Sequence, residues 1–152
     1  MGEYPNAFES HKKPLEIKQK SLPLNHLELD ATHNNIGEVY VQVGQYSNTM
    51  KCYQKALEIQ QNSLSPKHPQ LVATYNHIGQ VYANMGDYAK ALYFHRKSLE
   101  IQQKSLLPNH LDFGPTYNSI DEVYTRLRDY AKALEYYQKS LEIQEQSLPQ
   151  II

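Results

Sequence analysis

The sequence contains no tryptophan, one cysteine, three phenylalanines and six glycines in 152 residues. Each shortage excludes something. Cys52 alone cannot build an internal disulfide framework; this fits a reducing compartment, and a cytoplasmic location is the expectation. No Gly-rich phosphate loop, Gly-x-Ser-x-Gly elbow or His-Glu-x-x-His pair occurs. No catalytic residue, cofactor or metal is therefore assigned, and the chain is not expected to be an enzyme. A charge surplus is lacking too: 15 Lys+Arg stand against 16 Asp+Glu, a net charge of −1. Nucleic-acid affinity normally rests on many phosphate-neutralising cations, so no nucleic-acid partner is expected. A polybasic membrane-surface segment is absent, and apolar runs extend only a few residues, far short of a bilayer span. Met1-Gly2-Glu3-Tyr4-Pro5-Asn6 is no secretory signal, and Asn6 stands where myristoylation requires Ser or Thr.

What the chain does have is thirteen tyrosines and a period. Shifted by 42 residues, the sequence falls into register with itself. Ile36, Ile78 and Ile120 align, as do Val39, Val81 and Val123. Tyr40, Tyr82 and Tyr124 follow, then Tyr46, Tyr88 and Tyr130. Leu57-Glu58-Ile59-Gln60 recurs at 99–102 and 141–144. Residues 75–106 and 117–148 share 19 identities in 32 positions, and residues 33–64 and 75–106 share 15 in 32. Such a period marks an array of supersecondary units.

Each unit reads as two helices of about 17 residues, roughly 25 Å at 1.5 Å per residue. In the middle unit Pro69 suits a first helical turn. Leu71, Tyr75, Ile78, Tyr82 and Met85 then recur at spacings of three and four. Gly86 offers a left-handed helix end and Asp87 a cap for the next helix. A second stripe runs through Tyr88, Ala91, Leu92, His95, Ser98, Leu99 and Gln102. Gly37, Gly79, Ala91 and Ala133 fall where helices must approach closely. No window alternates like a strand, so the chain is read as all-α. One pair cannot bury both its faces, so stability must come from stacking neighbours.

Tyr75, Ile78-Gly79, Tyr82, Gly86, Tyr88, Ala91 and Ser98 resemble the tetratricopeptide repeat pattern. The 42-residue period with its Pro/Asn/His linker resembles the kinesin light chain variety. The resemblance implies a right-handed superhelical solenoid of antiparallel helix pairs, about three and a half repeats long. Residues 1–26 would be an orphan second helix (4–21) plus linker, followed by repeats at 27–68, 69–110 and 111–152. Pro14 should break the orphan helix. Both ends would be uncapped, as in a fragment of a longer array, and self-association through them is a further expectation. The third repeat departs from the pattern: Asp121 replaces the close-packing Gly and Arg128 the turn Gly, and in the first repeat Thr49 replaces a small Ala. Asp121 should loosen its unit unless a partner such as Arg128 meets it.

The resemblance also implies a function, a scaffold that binds a peptide segment of a partner protein in a concave groove lined by first helices. By register the groove residues would be Asn34, Glu38 and Gln42, then Asn76, Gln80 and Asn84, then Asn118, Glu122 and Arg126. Asn34, Asn76 and Asn118 would form a ladder of amides that clamps a peptide backbone, since an amide both donates and accepts. His33, His77, Tyr117 and Ser119 nearby would set specificity, with Arg126 the clearest cation. The alternative is a regulatory or substrate-recruiting arm of a larger enzyme or motor complex. His26, His68 and His110, one per linker, are too far apart to share a zinc ion and read as structural. Cys52 reads as inert packing, both tyrosine series as core, and the second-helix lysines (Lys51, Lys55, Lys90, Lys97, Lys132, Lys139) as a solvated face.

Overall fold

A computed structural model describes residues 27–108 and 110–147; the expected orphan helix, Pro14 and His26 lie outside them. Six helices, and no strand, occur among the described residues: α1 (Leu27–Gln42), α2 (Tyr46–Ser63), α3 (Pro69–Asn84), α4 (Tyr88–Ser105), α5 (Phe113–Arg126) and α6 (Tyr130–Ser147). The fold is all-α, built of successive antiparallel helix pairs. No helix among the described residues is long and apolar enough to cross a membrane.

Local chemistry sets the helix ends. Pro69 opens α3, and the His68 ring accepts a hydrogen bond from the Gln70 amide at 3.3 Å. His110 accepts in the same way from the Asp112 amide at 3.2 Å, one residue ahead of α5, so His68 caps its helix and His110 braces the turn that leads into the next. Asp87 caps α4 by accepting from the Lys90 amide, and Asp129 accepts from that of Lys132. The turn within each pair closes with the same bond: Gln45 N–H to Tyr40 C=O, Asp87 to Tyr82, and Asp129 to Tyr124. This six-residue closure needs a left-handed residue just before its donor. Gly44 (φ 72°) and Gly86 (φ 82°) supply it at no steric cost, whereas Arg128 is held at φ 61°. Arg128→Gly should therefore stabilise the chain by roughly 0.5–1 kcal/mol. A denaturant midpoint that fails to rise would mean the Arg128 side chain returns as much as its backbone strain costs.

The chain divides into two compact units, 1–66 and 67–152. In the first, α1 packs against α2 around Leu29, Ile36, Tyr53, Ala56 and Ile59. Beside them the buried Gln60 amide donates to the buried Asp30 carboxylate. In the second unit α3 packs on α4, α5 on α6, and α4 on α5. Ile78, Val81, Ala91, Ile120 and Val123 are each about as fully buried as a residue can be. The Ser98 hydroxyl donates to the Val72 carbonyl and that of Ser140 to the Gly114 carbonyl, fastening each pair across its crossing.

Where helices cross, the glycines leave room for a ring. A Cβ on Gly37 would lie 2.5 Å from the Tyr53 ring, and one on Gly79 would lie 2.7 Å from that of His95. Tyr53 and His95 are accordingly buried. At the third crossing Asp121 stands in the glycine's place, and Tyr137, the counterpart of Tyr53 and His95, stands 53% exposed. Asp121 does not meet Arg128; it accepts from the Thr125 hydroxyl at 3.3 Å. Two further expectations are corrected. Met85 follows the end of α3 and is exposed, because the helix stops before its turn of the stripe. Tyr130 is no core residue, at 64% exposure. Its counterpart Tyr88 packs against the cluster of Ala83, Ala91 and Val123, the last of these from the next first helix, and no described helix follows α6 to complete such a cluster.

Candidate functional site

In the second unit a cleft of about 480 Å³ opens beside α3 and α5. Pro69, Val72, Ala73 and Pro115 give it apolar walls, while Asn76, His77, Gln80 and Ser119 supply polar edges. Its floor is Gln102, 3% exposed, whose Nε2 donates to the Asp112 carbonyl at 2.6 Å. That bond ties the end of α4 to the start of α5 and keeps the linker beneath the cleft.

Of the nine expected groove residues, Asn76 and Gln80 line this cleft. Gln80 donates to Asn84 at 3.3 Å, which holds both side chains along α3. Asn118 is exposed on α5, and Glu122 and Arg126 pair with each other one turn apart. Arg126 also donates to the Ala83 carbonyl at 3.5 Å, linking α5 to the end of α3. It is a bridging cation rather than an open one. In the first unit Glu38 and Gln42 are exposed on α1 and Asn34 is half-buried. Of the neighbouring residues, His77 and Ser119 line the cleft. His33 is buried, with its pKa lowered chiefly by burial, and Tyr117 stacks on Phe113 away from the cleft.

Asn76 has a distinct environment. Its Nδ2 donates to the Thr116 hydroxyl of α5 at 2.9 Å, and its Oδ1 lies 3.0 Å from His95 Nδ1 of α4. An amide oxygen only accepts, so with Nδ2 turned to Thr116 the His95 proton sits on Nδ1. One side chain thus bridges three helices. Burial pushes the His95 pKa down to about 4, so the ring is neutral near pH 7. Its Nε2 finds no partner in the packed space beside Gly79. Asn118 has no such neighbours, because Tyr137 replaces His95 and is turned outward. The two amides stand in the same register but in unlike surroundings.

The walls Val72, Ala73, Pro69 and Pro115 were not anticipated from sequence. The available signal was apolar residues lying off the Leu71–Tyr75–Ile78 stripe, on a face that should otherwise be polar. Cys52 is half-buried, and burial raises its thiol pKa, away from the thiolate a reactive cysteine needs. Among the described residues no three His, Cys, Asp or Glu side chains gather closely enough to hold a metal ion.

The tetratricopeptide repeat profile matches residues 28–104 and 71–146. No curated protein matches the chain. Among solved structures, BtubC (BKLC) from P. vanneervenii superposes with a TM-score of 0.86 at 21% identity, over 95% of this chain and 57% of that one. The chain thus spans little more than half of that protein. The nearly identical TPR-like repeats of a Podosopora anserina protein assigned as a kinesin light chain give 0.82 at 21% identity, over 98% of this chain and 71% of that one. MamA gives 0.66 at 21% identity, over 99% and 72%. With its 42-residue helix pairs matched almost end to end, the chain belongs to the tetratricopeptide repeat family, whose fold is that of protein–protein interaction scaffolds.

Proposed function

We propose that this chain is a kinesin light chain-like adaptor that binds a peptide segment of a partner protein, with the cleft beside α3 and α5 as the principal contact. The observation that carries this is the cleft's make-up: apolar walls rimmed by amide, imidazole and hydroxyl groups. Such a mixture suits an extended segment, whose apolar side chains are buried while its backbone finds donors and acceptors. The reading of a uniform amide clamp is narrowed, since both ends of the Asn76 amide are already engaged within the protein. Gln80, His77 and Ser119 rim the cleft beside it, and a cytoplasmic location suits the role.

Truncating Asn76 would strip His95 and Thr116 of a partner, so it confuses binding with folding. Ala73→Tyr fills the cleft from an exposed position instead. Binders selected from a random twelve-residue peptide library on the wild-type chain should lose at least about tenfold in affinity on Ala73→Tyr, or about 1.4 kcal/mol, with helical circular dichroism unchanged. If the selected peptides bind both proteins equally, the cleft is not the contact. A second reading, self-association, is favoured by the exposed apolar face of α6.

A further inference from the structure

Tyr130, Leu134, Tyr137 and Leu141 lie on one face of α6 at spacings of four, three and four, the period of a single helical stripe. They are 64, 56, 53 and 40% exposed. In α4 the matching residues Tyr88, Leu92 and Leu99 are half-buried, with Leu92 and Leu99 packed on Ile120, Tyr124 and Ala133. The α6 face is not a plain copy of that surface. In α4 the fourth member, His95, is folded into the space beside Gly79 and leaves the surface open to a first helix. Tyr137 instead stands out from the middle of the stripe and would obstruct a helix docked as α5 docks on α4.

We infer that this face pairs with the same face of a second copy, α6 against α6, antiparallel about a twofold axis between Leu134 and Tyr137. The inference rests on the self-association reading and assigns it a surface. Antiparallel register sets Tyr130 opposite Leu141 of the second copy, and Leu134 opposite its Tyr137. Each protruding ring then meets a leucine instead of another ring, over about 16 Å of helix. The flanking charges agree with this orientation. Arg128 precedes α6 and Glu145 lies in its last turn; both are exposed and neither has an ion-pair partner among the described residues. In the antiparallel arrangement each Arg128 comes within about a turn of the other copy's Glu145, twice per dimer. Parallel pairing would instead set like charges side by side. Helix dipoles oppose in the antiparallel pair as well. A twofold contact of this kind closes on itself and stops at two copies.

The test is sedimentation equilibrium of the whole 152-residue chain over a wide concentration range. The expected weight-average mass rises from 17.6 kDa to twice that value and no further. Leu134→Asp with Tyr137→Asp should raise the dissociation constant at least 100-fold. Because both side chains are exposed, its circular dichroism and thermal midpoint at dilutions where the wild type is monomeric should match the wild type. Arg128→Glu or Glu145→Arg alone should weaken pairing by about fivefold, and the two together should restore it, in proportion to two exposed ion pairs. A monomer at every concentration would sink both this inference and the self-association reading. A dimer that survives the double Asp variant would keep self-association and sink this surface. Growth beyond two copies would mean head-to-tail stacking, and failure of the charge swap to restore pairing would mean the orientation is wrong.

Discussion

Gly79→Ala is expected to destabilise the chain by about 2 kcal/mol, although alanine is the better helix former. Helix propensity alone would favour the change by roughly 1 kcal/mol. Against this, the new methyl would lie 2.7–2.9 Å from three atoms of the His95 ring, which is buried and hydrogen-bonded to Asn76. Overpacking of this kind costs about 1–3 kcal/mol, and an expelled ring would leave the Asn76 oxygen without its donor, worth a further ~1–3 kcal/mol. The third repeat shows the outcome of a larger intrusion: with Asp121 at the crossing, the facing Tyr137 lies outside. Urea denaturation of wild type, Gly79→Ala, His95→Ala and the double variant would measure the effect. The double variant should be less destabilised than the sum of the singles, because shrinking the ring removes the clash. A Gly79→Ala chain as stable as wild type would refute this account of the crossing.

The second large effect is on pH. Neutral His95 is held at a pKa of about 4 by burial, while in the unfolded chain it titrates near 6.5. The unfolded state therefore binds the proton more readily, and stability rises with pH between those values. The contribution is full above about pH 6.5 and is lost as pH falls towards 4. At 1.36 kcal/mol per unit it amounts to about 3 kcal/mol. His33 shifts in the same direction in the first unit. Unfolding free energies of wild type and His95→Gln at pH 7 and pH 4.5 isolate the His95 share. The variant should lose about 2 kcal/mol less over this interval; parallel losses would show that His95 is not the group responsible.

The 42-residue period made the helix pairs, their turns and their crossings readable, because each depends on local chemistry. Proline at a first turn, glycine at a left-handed end and aspartate at a cap act within a few residues of their own position. The close-packing glycines could be read as well, since an absent side chain implies a near neighbour. What register could not give was the environment of Asn76. That depends on His95, nineteen residues on, and on Thr116, forty residues on, one helix pair later. Asn118 is the same residue at the same register, but its facing ring has changed. The cleft's apolar walls escaped for a related reason: Val72 and Ala73 are off the core stripe, and only the arrival of α5 and Pro115 turns them into a recess.

The exchange of glycine for Asp121 gives the array a graded order of melting. α4 is locked to α3 by a buried ring beside Gly79, a bridging amide and the Ser98 hydroxyl, whereas α6 keeps Ser140, Ile143 and the Tyr136 ring stacked on Tyr124 but has no buried ring opposite Asp121. Amide protons of α6 should therefore exchange with solvent sooner than those of α4. A guest seated in the cleft touches α5 as well as α3, so it would slow exchange in a helix pair that it only half contacts. If the proposed segment binds there, its capture and the tightening of α5 on α6 would be a single equilibrium, each drawing the other forward.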